Sequence, residues 1–113
     1  MPPFISWPAG FVIPLPKLSR YLLDPNGSGA SKARFLLGHG FTQDEPHVLA
    51  QELFQHTTLA NFTGVRIVPH GFNMGFRGPI DTPNGAQPCI RSYWHVSSGS
   101  AAGEASFVTA YPN

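Results

Sequence analysis

Between Lys17 and Leu59 the apolar residues recur at the three-to-four spacing of a helix, and from Phe62 onward they recur at every second position. The chain therefore divides into a helical half and a strand half. Leu18, Tyr21 and Leu22 predict a short helix over 17–24, stopped by Pro25-Asn26-Gly27. A second helix is expected over 31–38, capped by Ser28 or Ser31 and ended by Gly38 or Gly40, with Ala33, Phe35 and Leu36 toward the core. The clearest helix follows a capping-box pattern, Thr42-Gln43-Asp44-Glu45, with Pro46 tolerated in its first turn. Val48, Leu49, Leu53 and Phe54 form its apolar stripe to about Leu59, and His56 falls on the same stripe.

The strand half predicts a hairpin of 65–68 and 72–77 across Pro69-His70-Gly71, with Phe72, Met74 and Phe76 on one face and Asn73 and Arg77 on the other. After the turn chemistry of Asp81-Thr82-Pro83-Asn84-Gly85 comes a strand with Ile90, Ser92, Trp94 and Val96 on one side and Arg91, Tyr93 and His95 on the other. A flexible connector over 97–103 leads to a last strand in which Phe107, Thr109 and Tyr111 alternate with Val108 and Ala110. Helices first and strands afterwards make an α+β domain: two or three N-terminal helices packed on a four-stranded antiparallel meander, covering 17–113. Residues 1–16 (MPPFISWPAGFVIPLP) read as a proline-rich, apolar, extended arm.

Composition narrows the function classes. Charged residues are 12% of the 113 and net charge is +1, so no broad basic field points to DNA, and any RNA site is local. No apolar run approaches the roughly 20 residues of a spanning helix, so no membrane partner is expected. Residues 1–16 lack the pattern of a signal peptide. Cys89 stands alone, without CxxC or CxxxH spacing, and there is no acidic cluster; neither a structural metal nor a cofactor is expected.

The segments SKARFLLGHGF, QHT, GPIDTPNG, IRSYWHV and VTAYP, in that order, resemble a bacterial domain family of unknown function whose members run KL-x-x-YLL, SKARFF-x-x-GF, GPL-x-TPDGR, VR-x-VW and VTAYP. The resemblance spans Lys17 to Pro112. It implies a toxin module of the kind carried at the C-terminus of polymorphic toxins or paired with a small antitoxin, with a fold similar to the barnase, EndoU, colicin and RelE ribonucleases. It implies an RNA substrate, a cognate immunity protein or antitoxin, and a place of action in a bacterial cytoplasm, reached by synthesis there or by delivery from a larger secreted toxin. The family's polar positions fall on Lys32, His56, Arg91, Thr109 and Tyr111. The sequence departs from the pattern at Ala86, where the family's turn carries Arg.

Metal-independent RNA cleavage would suit these residue types, because the ribose 2′-hydroxyl supplies the nucleophile. His56 is the natural acid or base. Arg91 and Lys32 would hold phosphate, with Arg34 and Arg77 as further cations. Thr109 and Tyr111 would donate to a phosphate oxygen or position the 2′-hydroxyl, and Tyr93 or His95 would stack on a base. Each position has a plainer use: His56 as a hydrogen-bonded core residue, Lys32 and Arg34 as solvated cations, Arg91 as a cross-strand partner of Glu104. A non-catalytic module that docks a partner protein through the apolar arm is the competing function. Deaminase chemistry lacks its HxE and PCxxC signature.

Overall fold

Alternation of side chains across β-strands assembles one face of the sheet into the core and leaves the other open. The computed structural model describes residues 8–98 and 103–113. In order, the elements are β1 (Gly10–Val12), α1 (Leu15–Lys17) running into a π-helical turn (Leu18–Leu22), α2 (Ala30–Gly38), α3 (Pro46–His56), β2 (Phe62–Val68), β3 (Gly71–Pro79), β4 (Cys89–Ser97) and β5 (Glu104–Pro112). The sheet has five strands in the order β1-β5-β4-β3-β2. Strands β2 to β5 form the expected antiparallel meander. Leu18, Leu22, Leu36, Leu49 and Leu53 from the helical segments close over Met74, Phe76, Ile90, Trp94 and Phe107 from the sheet.

Three expectations require correction. Part of the expected extended arm, Gly10–Val12, is a strand of the sheet itself. Gly10–Val12 pairs in parallel with Glu104, Ala105 and Ser106, adding a fifth strand to the meander. The Phe11 ring meets Trp94 edge-on at 5.2 Å and Phe76 at 5.9 Å. Apolar burial outweighs the weak ladder propensity of a glycine- and proline-flanked triplet. Residues 1–7 of the predicted arm and residues 99–102 of the predicted connector lie outside the described residues. Phe11→Ala should therefore lower unfolding stability by about 2–3 kcal/mol, read as a lower urea midpoint. The exposed neighbour Val12, changed to Ala, should move it by less than about 0.5 kcal/mol. Equal, small effects would mean that the strand adds nothing to the core.

The second correction concerns helix starts. Neither Ser28 nor Ser31 caps α2, whose N-cap is Gly29. The Thr42–Glu45 capping box does not form; Glu45 is the N-cap of α3 without a side-chain bond, and Pro46 supplies the start. The short first helix begins at Leu15, before the expected 17, and widens into the π turn.

The third correction decides the functional face. Pairing of β4 with β5 shifts between Tyr93 and Trp94, so Tyr93 faces Thr109 but Trp94 faces Phe107, and Val108 is an extra residue. Phe107 consequently does not share a face with Thr109 and Tyr111. Both Phe107 and Ala110 point into the core, while Thr109 and Tyr111 turn to the open face. The carbonyl of Val108 accepts a hydrogen bond from Lys17 Nζ at 2.9 Å, so a charged donor from the helical layer satisfies an acceptor at the bulge.

Candidate functional site: the open face of the sheet

Register aligns the open-face residues in rows. Arg77, Arg91 and Tyr111 lie side by side on β3, β4 and β5; Gly75, Tyr93 and Thr109 form the next row, and Asn73, His95 and Ser106 the one after. On β2, Arg66 pairs with Asn73 and Gly64 with Gly75. An open cleft of about 520 Å³ lies on this face, lined by Tyr93, Thr109 and Tyr111 on one side and by Thr63, Arg66 and Asn73 on the other; Arg77, Arg91 and His95 stand beside it and are not part of its lining. Glycines at 64 and 75 keep its floor low. A Cβ on Gly75 would come within 3.1 Å of the Tyr93 ring and 2.8 Å of the Thr63 hydroxyl, so only glycine lets Tyr93 lie down beside β3.

The two tyrosines are stacked, with centroids 5.8 Å apart and planes 27° from parallel. Tyr111 Oη donates to Tyr93 Oη at 3.2 Å. The consequence is a split pair. Tyr93 is pushed below the usual phenol range, first by the bond from Tyr111 and then by Arg91. Tyr111 is pushed up, first because it donates to Tyr93 and then by burial. Arg91 is held more firmly in its charged form, mainly by Tyr93, and its Nε donates to Asn113 Oδ1 at 2.7 Å. His95 is oriented by a 2.9 Å bond between Nδ1 and Asn73 Oδ1; because an amide oxygen can only accept, Nδ1 carries the proton.

The face thus brings together Arg91, Tyr93, Thr109 and Tyr111, with Arg77 in the row of Arg91 and His95 in the row beyond Tyr93. Arg34 is exposed on α2 and is not among the residues lining the cleft. Lys32 is likewise not among the lining residues; its Nζ donates to Tyr21 Oη at 2.8 Å. Ala86 is also outside the cleft. It sits in the 82–86 turn, where its N–H donates to Asn84 Oδ1 and its carbonyl accepts from Thr82, and that turn rests on His39. The absent arginine at 86 therefore takes nothing from the open face.

His56 does not join them either. It is 1% exposed and lies on the helix-facing side of the sheet, opposite Arg91, Tyr93 and Tyr111. Its Nε2 lies 3.1 Å from the Gly78 carbonyl and its Nδ1 2.8 Å from Ser92 Oγ. A carbonyl only accepts, so Nε2 holds the proton and Nδ1 takes the Ser92 hydroxyl hydrogen; Ser92 Oγ in turn accepts from Trp94 Nε1 at 3.0 Å. Each partner is satisfied by a neutral imidazole, and burial pushes its pKa down against the opposing pull of the Gly78 and Ile90 backbone. The ring borders a smaller hollow of about 260 Å³ with Glu52, Gln55 and Asp81, but its nitrogens are spent inside the core. Sharing an acid–base role with the open-face residues is corrected on this ground: sheet and core stand between them.

Arg66, Asn73 and Gly75 are site residues that sequence reasoning passed over. One signal was present for Arg66, a single cation at an alternating position within the otherwise uncharged run TGVRIV. Among the described residues, no group of three or more His, Cys, Asp or Glu side chains is placed to hold a metal ion.

These features define a small α+β domain in which helices seal one face of an antiparallel sheet and the other face carries a polar, arginine- and tyrosine-lined cleft. The chain belongs to the family described as Domain of unknown function (DUF6883), whose model matches residues 9–113. That match begins one residue before β1 and so includes it. The fold is similar to that of a chain from a contact-dependent growth inhibition toxin–immunity protein complex of Klebsiella pneumoniae 342, with 19% sequence identity, a TM-score of 0.74, and coverage of 90% of this chain and 92% of that one. No curated protein matches the sequence.

Proposed function

We propose that this domain is a bacterial toxin module that cleaves RNA without a metal ion, using the open face of its sheet. The observation that carries the proposal is the grouping of Tyr93, Thr109 and Tyr111 in one cleft, with Arg91 beside them as the ladder partner of Tyr111. A second feature supports an anionic substrate: Arg77 and Arg91 occupy directly opposed ladder positions. Like charges so placed destabilise a sheet unless something negative lies between them. Similarity of fold to a protein from a toxin–immunity complex favours the same class and, with it, an immunity protein as partner.

In this reading Arg91 and Arg77 hold the scissile phosphate, and Thr109 forms the cleft wall beside Tyr93. Tyr93, the phenol pushed down, acts as its phenolate: that oxygen accepts the 2′-hydroxyl proton, becoming the neutral phenol, as the 2′-oxygen bonds to phosphorus. Tyr111, the phenol pushed up, keeps its proton until the phosphorus–5′-oxygen bond breaks and then delivers it to the leaving oxygen, giving a 2′,3′-cyclic phosphate and a 5′-hydroxyl. His95, steered by Asn73, and Arg66 flank the path of the strand. The place of action is a bacterial cytoplasm.

Incubating the purified chain with total cellular RNA and EDTA, beside Arg91→Ala and Tyr93→Phe, tests this. Wild type should fragment the RNA and leave cyclic phosphate ends, with both variants strongly impaired. RNA that stays intact with wild type overturns the proposal and favours a module that only binds a partner.

A further inference from the structure

Across its glycine floor from the tyrosines, the cleft has a second polar wall, made by Thr63, Arg66 and Asn73. The β2–β3 edge of the sheet builds it. Pairing of these strands shifts between Phe62 and Gly64, so Thr63 is an extra residue in β2 and joins Arg66 in lining the cleft. The charge on this side has one sign. Strands β2, β3 and β4 (FTGVRIV, GFNMGFRGP and CIRSYWHVS) carry three arginines and no Asp or Glu. Arg66 is exposed, and no carboxylate on these strands answers it. The one acid of β5, Glu104, pairs with Gly10 at the opposite edge of the sheet.

Asn73 is held so that its donor faces Arg66. It is the ladder partner of Arg66 on β2 and of His95 on β4, and β3 lies between those two strands. Its Oδ1 takes the 2.9 Å bond from His95 Nδ1. A planar carboxamide carries its oxygen and its NH2 on opposite sides, so an oxygen fixed on the β4 side turns the NH2 toward β2. The Arg66–Asn73–His95 row stands two rows from Arg77, Arg91 and Tyr111. That is about 13 Å along the strands, at roughly 3.3 Å per residue. With Arg91 fixed on Asn113 and Asn73 fixed on His95, a phosphate seated at one row is beyond hydrogen-bond reach of the other.

We propose that Arg66, Asn73 and Thr63 form a second phosphate subsite, which holds a phosphodiester of the same RNA strand other than the scissile one. His95 is its positioning residue, aiming the Asn73 NH2. A guanidinium and an amide NH2 side by side suit phosphate oxygens, which only accept. A nucleobase edge mixes donors with acceptors, and apart from the Thr63 hydroxyl this wall offers its donors nothing. The assignment rests on the reading of the cleft as an RNA site, but it concerns grip on the strand beside the cut and not cleavage.

The experiment titrates the full chain, followed by NMR, with two 2′-O-methyl ligands that lack a nucleophile: a dinucleotide with one phosphodiester and a pentanucleotide with several. Arg66→Ala should weaken the pentanucleotide about 10-fold and leave the dinucleotide within about twofold. Its salt dependence with the pentanucleotide should fall by about 0.7 in log–log slope, the share of one phosphate contact on a single strand. Asn73→Asp, which keeps the shape but replaces the donor with a carboxylate, should lose at least as much. His95→Leu should lose less, and again only with the longer ligand. Thermal unfolding of each variant separates lost folding from lost binding. Equal losses with both ligands, wild-type binding by Arg66→Ala, or a wild-type chain that does not bind the pentanucleotide overturn the subsite. A loss seen with oligo(A) and not with oligo(U) also overturns it, in favour of a base pocket. If the expected pattern appears while total RNA stays intact, the subsite stands and only the cleavage reading falls.

Discussion

Arg91→Ala should lower the rate of RNA cleavage by about 10²–10³-fold, the usual consequence of removing one preorganised donor from developing charge. The size follows from how Arg91 is held. Its Nε is fixed on Asn113, Tyr93 lies beside it, and Arg77 opposes it across the ladder, so the guanidinium is already aimed before any substrate arrives. Arg91→Lys should recover little, because an ammonium cannot both hold Asn113 and present a planar fork to phosphate. Folding should change little, since the side chain lies on the open face. Initial rates with a labelled oligoribonucleotide, set beside urea midpoints, measure both. Full activity in Arg91→Ala would remove Arg91 from the site.

His56→Ala should act the other way round, lowering stability by about 2–4 kcal/mol through a cavity and lost hydrogen bonds at Gly78 and Ser92. Residual RNA cleavage by the fraction that remains folded should stay near the wild-type rate. Acid should expose the same residue. Burial holds the imidazole below its ordinary 6.5 in the folded chain, so the unfolded chain binds the proton more readily. The stability contributed by neutral His56 is complete above about 6.5 and declines as pH falls from there toward the folded value. His56→Gln, which can keep an N–H toward Gly78 and an oxygen toward Ser92, should flatten that acid decline. A loss of cleavage in well-folded His56→Gln would return His56 to the chemistry.

Much of this was legible in local pattern. The period of the apolar residues located α2, α3 and four of the five strands within a few residues, and it set His56 on the buried stripe with Leu49 and Leu53. Alternation along β4 separated Arg91, Tyr93 and His95 from Ile90, Ser92, Trp94 and Val96, as found. The misses share a cause. The triplet Gly10–Val12 has no strand signal of its own; its pairing depends on β5, more than ninety residues later. Strict alternation put Phe107 with Thr109 and Tyr111, because a bulge at Val108 is a property of two strands in register and cannot be read from one. Tyr21 was legible only as a member of the Leu18–Leu22 apolar stripe, because a π turn and the close approach at Gly29, rather than spacing, bring its phenol to Lys32.

By itself, the sequence determined an α+β domain with a polar strand face and a histidine on an apolar helix stripe, since both follow from side-chain periodicity within one element. Only the tertiary structure decided which residues work together. Packing the helices on one face of the sheet sealed His56 away from Arg91. Register and one extra residue in β5 brought Tyr111 and Thr109 beside Arg91 and Tyr93. Such distances depend on contacts between segments far apart in the chain, and no local period records them.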